Sequence, residues 1–329
     1  MKYKFFEDFD YTKESTGFLA KLKNLFWFIF FFFKNGKPAV VFRLGGGLGD
    51  HLLCTIVFAG IRDKYSKIWM MSFYPEIFEG NPNVDKVVPD SWRVIKYCNF
   101  WSIPVTELSY TRFLDSGDKM CSPESHIAVE VLKKANLCGK FRIIPLYYDS
   151  KPFYFSVPYV CIQSADTHSS TVVQNKQWIN SRFEEIIFQI SKNYTVIQLG
   201  LPQEKKLANT LDFRDDTNIA KAAGILKGAK FFLGQEGFLM HLSRAVNTRS
   251  VIIFGGRVKA SQTGYKCNEN IESSMLCSPC WQNNKCGYDR SCMKDISVSE
   301  VLSAIKRIEL RLDDKIEEDI VEITNSLSS

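Results

Sequence analysis

Asp50 is the side chain most plainly placed for chemistry. It closes the run Arg43-Leu44-Gly45-Gly46-Gly47-Leu48-Gly49-Asp50, which joins a strand-like apolar stretch, Ala39–Phe42, to a helix-like one, Leu52–Arg62. A strand, a glycine loop and a helix start let a backbone approach a ligand closely and aim N–H groups at it. A carboxylate at that point can take a proton from a hydroxyl. It can equally cap the helix. A second group is thiol-rich: Cys277, Cys280, Cys286 and Cys292 follow a C-x2-C-x5-C-x5-C spacing. Four sulfurs suit one tetrahedral zinc or iron that pins a loop, with Cys267 a substitute ligand. Two disulfides, or free thiols lining a loop, are the alternatives. The remaining cysteines are scattered and no secretion signal is evident, which points to a reducing, cytoplasmic setting and disfavours disulfides.

Such groups need a frame to hold them. After the glycine loop and its helix, Lys67–Phe73 and Val84–Val88 read as strands, with a short helix near Pro75 between them. Residues from Ser91 to Asp118 read as aromatic-rich and irregular, Glu124–Ala135 as a helix and Phe141–Asp149 as a strand. A second alternation begins near Pro158. Strands are expected at Tyr159–Gln163, Tyr194–Gly200, Ala229–Gly234 and Ser250–Gly256, and helices at Arg182–Lys192, Asn218–Leu226, Leu239–Val246 and Ser297–Glu322. Strand–helix alternation implies parallel sheets with right-handed crossovers. Two doubly wound domains with a cleft at the strand carboxyl ends are therefore expected.

The 329 residues suffice for two cores, and 45% hydrophobic with 24% charged residues is globular composition. A net charge of +6 permits an anionic substrate or membrane surface. No helix-turn-helix, RNA-binding signature or long basic run is present, so nucleic acid is not expected as a partner.

Residues Phe18–Phe33 form an aromatic segment with Lys21 and Lys23 inside it and Lys34 and Lys37 after it. Its uninterrupted apolar part, Leu25–Phe33, falls far short of the roughly 20 residues that cross a bilayer. It reads as an amphipathic helix lying in a membrane interface, or packed on the protein's own core or a second subunit.

Several segments carry a family likeness. Gly46-Gly47-Leu48-Gly49-Asp50-His51-Leu52-Leu53-Cys54-Thr55 resembles the glycine loop and Asp of the glycosyltransferase family 9 heptosyltransferases, which move heptose from ADP-heptose to lipopolysaccharide. Asn81–Val88 resembles the stretch that follows there. Phe232–Val246 with Ser250–Gly256 is similar to the family's strand, acidic loop, Met-His-Leu helix and next strand. Asn175-Lys176-Gln177-Trp178 resembles its Lys-Arg-Trp element, and Cys277 to Met293 resembles a cysteine-rich insert of some members.

The resemblance spans residues 38 to 305 and implies the GT-B fold, two Rossmann-like domains facing across a cleft. Residues 38–155 would form the acceptor side. Residues 156–329 would form the nucleotide-sugar side, with the insert at 267–292 and a C-terminal helix, and 1–37 an N-terminal extension. It implies inverting transfer without a catalytic cofactor, from a nucleotide sugar to a glycan or glycolipid acceptor, peripherally at a bacterial inner membrane and in a possible oligomer. Asp50 matches the base; Gly45, Gly46, Gly47, Gly49 and His51 line the acceptor loop. Lys176 matches the cation on the leaving diphosphate. Gly234, Glu236, Gly237, Phe238, Met240 and His241 match the donor loop. Glu236-Gly237-Phe238-Leu239 departs from the family's Asp-Ser/Thr-Gly-Pro, which leaves the sugar open. A sugar epimerase, an NAD-dependent oxidoreductase and a non-catalytic membrane scaffold are the competing readings.

Overall fold

The computed structural model of the protein describes residues 18–114, 118–151, 153–164, 173–214 and 218–324. Strands β1 (Val40–Arg43), β2 (Ile68–Met71), β3 (Lys86–Val88) and β4 (Val105–Glu107) form a parallel sheet in the order β3-β2-β1-β4. A fifth strand, β5 (Gly139–Arg142), lies outside it. Strands β6 (Tyr159–Ile162), β7 (Thr195–Gln198), β8 (Leu211–Asp212), β9 (Phe232–Gln235), β10 (Ser250–Gly255) and β11 (Glu269–Glu272) form a second parallel sheet, ordered β11-β10-β9-β6-β7-β8. Strand β12 (Ile320–Ile323) returns to pair antiparallel with β5, tying the end of the chain to its first half.

The helices are α1 (Phe18–Asn35), α2 (Leu48–Leu53), α3 (Thr55–Ile61), α4 (Trp92–Phe100), α5 (Ile127–Lys134), α6 (Asn180–Ile190), α7 (Ile219–Gly228), α8 (Phe238–Ala245), α9 (Ala260–Thr263), α10 (Ser291–Lys294) and α11 (Val298–Glu309).

Side chains alternate across a strand, and here both faces are apolar, as parallel sheets require. Val40 and Phe42 of β1 join Leu52, Leu53, Val57 and Phe58 of α2 and α3, whereas Val41 joins Trp69, Tyr97 and Phe28 under α1 and α4. In the second sheet Phe232 and Ile252 face the same core as α2, and Leu233 and Ile253 face α6 and α11. The core shared by Val40 and Phe232 runs unbroken between the two sheets.

Four expectations change. The strand expected over Phe141–Asp149 is confined to Gly139–Arg142, the residues that pair with β12. The stretch from Ser91 is ordered into α4 and β4, with Ser91 capping α4 by accepting from the Val94 N–H. The helix expected over Ser297–Glu322 stops at Glu309, where apolar spacing ends and an acid-rich run begins. Asp319 in that run makes a buried ion pair with Arg244, 3.2 Å, and accepts from the Lys266 N–H, which seats β12. The helix expected over Leu52–Arg62 is broken at Cys54. There the Thr55 hydroxyl turns back to the Leu52 carbonyl and accepts from the Leu146 N–H. Of the expected extension 1–37, residues 1–17 lie outside the described residues.

Candidate active site

Asp50 sits in the first turn of α2, at the carboxyl end of β1. Its Oδ2 accepts from the Gly47 N–H, 2.8 Å, and its Oδ1 from the hydroxyl of Tyr110, just beyond β4. Gly46 has φ +128°, and a Cβ there would stand 2.5 Å from Asp50 Oδ2; only glycine fits on both counts. The Gly45 N–H donates to the Ser109 hydroxyl, which donates in turn to Glu107. The loop is therefore fixed from the end of β4, and Gly45, Gly46 and Gly47 remain exposed. Burial, then the Asp50 carboxylate, pushes the Tyr110 phenol well above its ordinary range, so it stays a donor to Asp50.

The facing wall is built from the carboxyl ends of β6, β9 and β10. Glu236 follows β9, is buried, and is ion-paired with Lys176. Burial alone would raise Glu236, but Lys176 and Arg257 outweigh it and hold it below the ordinary carboxylate range. Burial lowers Lys176, and Glu236 opposes that lowering. Arg257 is 5% exposed, and its Nε is buried without a partner among the described residues. The amide of Gln235, the hydroxyl of Ser164 and Oδ1 of Asn175 are also buried with no partner among the described residues. Unsatisfied buried polar atoms converging at strand ends are what a polar ligand would satisfy. Gly237 opens α8, and a Cβ there would meet nothing within 4 Å. The free N–H groups of that helix turn border open space beside two cations, a setting for a diphosphate.

The two walls meet where α2 packs on α8. A Cβ on Gly49 would lie 3.1 Å from Cδ2 of His241 and 3.5 Å from the Phe238 Cα. His241 is buried, with Nδ1 paired to the Tyr265 hydroxyl at 2.6 Å, and burial lowers it to about 4. The Asp50 charge bears on both His241 and Lys176, so base, cation and imidazole share one electrostatic environment.

Trp281 to Lys285, inside the cysteine-rich segment, brace this wall. The Asn175 amide donates to the carbonyls of Gln282 and Lys285 and so fixes the turn that carries Lys176. The Asn283 Oδ1 accepts from the Arg257 guanidinium at 2.6 Å, and Trp281 lies under that guanidinium at 5.2 Å. The Asp118 carboxylate accepts from the Asn284 and Lys285 N–H groups, linking the segment to the first half of the chain.

Cys277, Cys280, Cys286 and Cys292 line one cavity of about 600 Å³ with Arg257 and Trp281. All are free thiols. Burial holds Cys280 and Cys292 above the ordinary thiol range, and the Cys286 sulfur accepts from the Arg290 N–H. No group of three or more His, Cys, Asp or Glu among the described residues is set to hold a metal ion. The structural zinc or iron expected from spacing is thus not carried by the geometry, which gathers the thiols around a cavity. Cys267 is not among the residues lining that cavity; it is buried beside Asn268.

Other expected site residues fall elsewhere. Gly234 is packed under the Phe232 ring, which a Cβ would strike at 2.4 Å, and Met240 is wholly buried. His51 is fully buried, bonds the Gly47 carbonyl through Nδ1, and packs edge-on to Tyr74. It shapes the loop from beneath. Tyr110 and Arg257 were not singled out from the sequence. Tyr110 lies in the stretch read as irregular. Arg257 could have been found as a cation immediately after a strand and two glycines, where ligands gather in open sheets.

Residues 121–287 match the model of a family described as glycosyltransferase family 9 (heptosyltransferase). Over 149 residues the chain is 24% identical to lipooligosaccharide heptosyltransferase 2 of Campylobacter jejuni subsp. jejuni serotype O:6, covering 40% of this chain and 47% of the relative. The match therefore spans about half the length of that curated relative. Among solved structures, the iron-containing dodecameric glycosyltransferase TibC of enterotoxigenic E. coli H10407 aligns with a TM-score of 0.67 at 17% identity, over 85% of this chain and 78% of that one. TibC in complex with ADP-D-beta-D-heptose gives 0.64 at 18%, over 84% and 77%. The E. coli ADP-heptose lipopolysaccharide heptosyltransferase II gives 0.59 at 13%, over 83% and 99%. At these identities the likeness is one of fold.

Proposed function

Because the chain belongs to glycosyltransferase family 9 and has the GT-B fold, we propose that it is an inverting glycosyltransferase using a nucleotide-diphosphate sugar. The observation that carries this reading is the meeting of one braced carboxylate with two cations, Arg257 buried and Lys176 partly so, at the carboxyl ends of two parallel sheets.

The acceptor hydroxyl attacks the anomeric carbon and gives its proton to Asp50. The bond from that carbon to the diphosphate oxygen breaks, and its electron pair leaves with the nucleoside diphosphate. Lys176, Arg257 and the first turn of α8 meet the charge that develops there. Diphosphate bound to Lys176 competes with Glu236 for the ammonium, which frees the Glu236 carboxylate to accept from sugar hydroxyls. Tyr110 and the Gly47 N–H hold Asp50 in one orientation before substrate arrives.

The family and the TibC complex favour ADP-heptose as donor, and the Campylobacter relative favours a lipooligosaccharide or similar surface glycan as acceptor. These finer assignments, the site residues and the division at 155/156 are part of the proposal. So are a cytoplasmic setting and a homo-oligomer.

A thermal-shift series with ADP-heptose, UDP-sugars and GDP-sugars tests it, followed by nucleotide-diphosphate release with a glycolipid acceptor. Stabilisation by one nucleotide sugar, and release that Asp50→Asn abolishes while stabilisation remains, is the expected result. No response to any nucleotide sugar overturns it. Binding without turnover in the wild type would favour the scaffold reading.

A further inference from the structure

Tyr265 is buried against His241. Its ring is 1% exposed and lies edge-on to the imidazole at 5.7 Å. It is flanked by His126, with ring centres 6.1 Å apart, and by the Arg244 guanidinium at 5.9 Å. The Tyr265 carbonyl accepts from the Asn268 N–H and the Asn270 amide, which fix the backbone that carries the ring. The hydroxyl meets Nδ1 of His241 at 2.6 Å and has no other partner among the described residues.

That contact can be made in two ways. If Nδ1–H donated to the phenol oxygen, the phenol proton would be buried with no acceptor, which costs free energy. If the phenol O–H donates to a bare Nδ1, both groups are satisfied. Burial pushes the phenol well above its ordinary range, so it keeps the proton it donates. Burial also lowers His241 to about 4; Glu236 and Asp50 oppose this, and His126 and Lys176 add to it. The imidazole is therefore neutral near pH 7 and carries one proton. With Nδ1 accepting, that proton is on Nε2.

Nε2 bonds nothing among the described residues, yet it is not sealed from solvent. It is the ring neighbour of Cδ2, the atom that faces Gly49. His241 stands in the first turn of α8, which begins at Phe238 after Gly237. An N–H there serves the same ligand as the free backbone N–H groups of that turn. A diphosphate oxygen accepts without having to donate, so it matches a nitrogen that can only give. In the other tautomer a bare Nε2 would present a lone pair to that oxygen and repel it.

We propose that Tyr265 is a positioning residue for glycosyl transfer: by donating to Nδ1 it holds His241 as the Nε2–H tautomer, and this N–H donates to an oxygen of the donor diphosphate. The role rests on the nucleotide-sugar reading of the site and adds to it one neutral donor and the side chain that orients it.

The full chain, labelled with 15N-histidine, is read by long-range proton–nitrogen NMR near pH 7. It contains four histidines, so the signals are few. The His241 signal is the one lost in His241→Asn; if that variant does not fold, the other three histidines are removed singly. A bare Nδ1 and a protonated Nε2 are expected, and a protonated Nδ1 overturns the proposal. In Tyr265→Phe the two nitrogen signals should move toward each other as the tautomers mix. Signals that stay in place would show that Tyr265 does not set the tautomer, and the proposal fails. Saturation with the nucleotide sugar that stabilises the chain is expected to shift Nε2 and its proton. If that sugar binds and Nε2 does not move, the contact is absent and this proposal fails while the nucleotide-sugar reading stands. If no nucleotide sugar stabilises the chain, that reading fails and takes the contact with it. In turnover, His241→Gln can present an amide N–H near the place of Nε2 and His241→Asn cannot, so the first should keep about tenfold more kcat. Equal losses would show that only the packing of the ring matters, and overturn the role of its N–H.

Discussion

Gly49 of α2 lies against the imidazole of His241 on α8, so close that a methyl group at Gly49 would stand 3.1 Å from Cδ2. The residue preceding the proposed base is thus one of the contacts between the loop ends of the two sheets. Its lack of a side chain serves packing between helices, where the sequence suggested room for an acceptor. Gly49→Ala gains helix propensity of up to about 1 kcal/mol. It pushes on a buried ring and the Phe238 backbone, which costs about 1–3 kcal/mol. Net destabilisation of about 1–2 kcal/mol is expected in urea unfolding, together with a fall in kcat as the walls separate. Wild-type stability and turnover would show that the contact is loose.

Asp50 and Tyr110 separate base from brace. Asp50→Asn keeps an acceptor for the Gly47 N–H but cannot take a proton, so kcat should fall by about a hundredfold to ten-thousandfold. Donor KM and the melting temperature should hardly move. Tyr110→Phe removes one charge-assisted hydrogen bond and leaves the base, so a loss of about tenfold in kcat is expected. Equal losses in the two variants would mean that the phenol itself takes part in proton transfer.

Lys176 and Glu236 form a largely buried pair, and removing one partner of such a pair costs more than replacing both. Lys176→Met leaves Glu236 facing Arg257 alone, and Glu236→Gln leaves Lys176 desolvated. Each single variant should lose about 2–4 kcal/mol, and the double variant less than the sum, by about 1–3 kcal/mol. Additive losses would mean the pair is not coupled. Donor KM should rise more for Lys176→Met than for Glu236→Gln if the ammonium meets the diphosphate.

Arg257 depends on a segment distant in sequence. Arg257→Lys loses the fork that reaches Asn283 while keeping the charge, and Asn283→Ala removes only the support. Donor KM is expected to rise about tenfold in the first and a few-fold in the second, measured with saturating acceptor. If Arg257→Lys leaves donor KM unchanged, Arg257 serves packing against Trp281 and not the donor.

The parallel strands were legible because residues such as Val40–Phe42 and Val251–Phe254 are apolar on both faces, and that pattern survives without tertiary context. Strand β12 was not, because Ile320–Ile323 sits in an acidic stretch and is a strand only through pairing with β5. The site divides along the same line. Asp50, Lys176 and Glu236 lie in short motifs with a fixed place relative to a strand end. Tyr110 and Arg257 reach the site through contacts that no local pattern encodes: an O–H directed across the β1 and β4 ends, and a guanidinium aimed by Asn283. The cysteine spacing was plain, but spacing does not say what surrounds the thiols, and here the four residues line one cavity.

His241 gives the fold a pH dependence whose sign follows from its burial. Its ring is held at about 4, below the ordinary 6.5, because burial disfavours the imidazolium; Glu236 and Asp50 only partly offset this. Between those values the unfolded chain binds a proton that the native state refuses. Stability is therefore full above pH 6.5 and declines as the pH falls toward 4, by up to about 3 kcal/mol from this one group. His51 and His126 are lowered by burial as well and act in the same direction. His241→Asn can keep a partner for the Tyr265 hydroxyl and has nothing to titrate. Urea midpoints at pH 7 and pH 5 should thus converge in the variant, with about 2 kcal/mol of the wild-type difference removed. Parallel wild-type and variant curves would show that His241 is solvated enough to protonate in the folded protein. The close contact with Gly49 would then have to open reversibly, and the two walls of the site would be less firmly joined than their packing indicates.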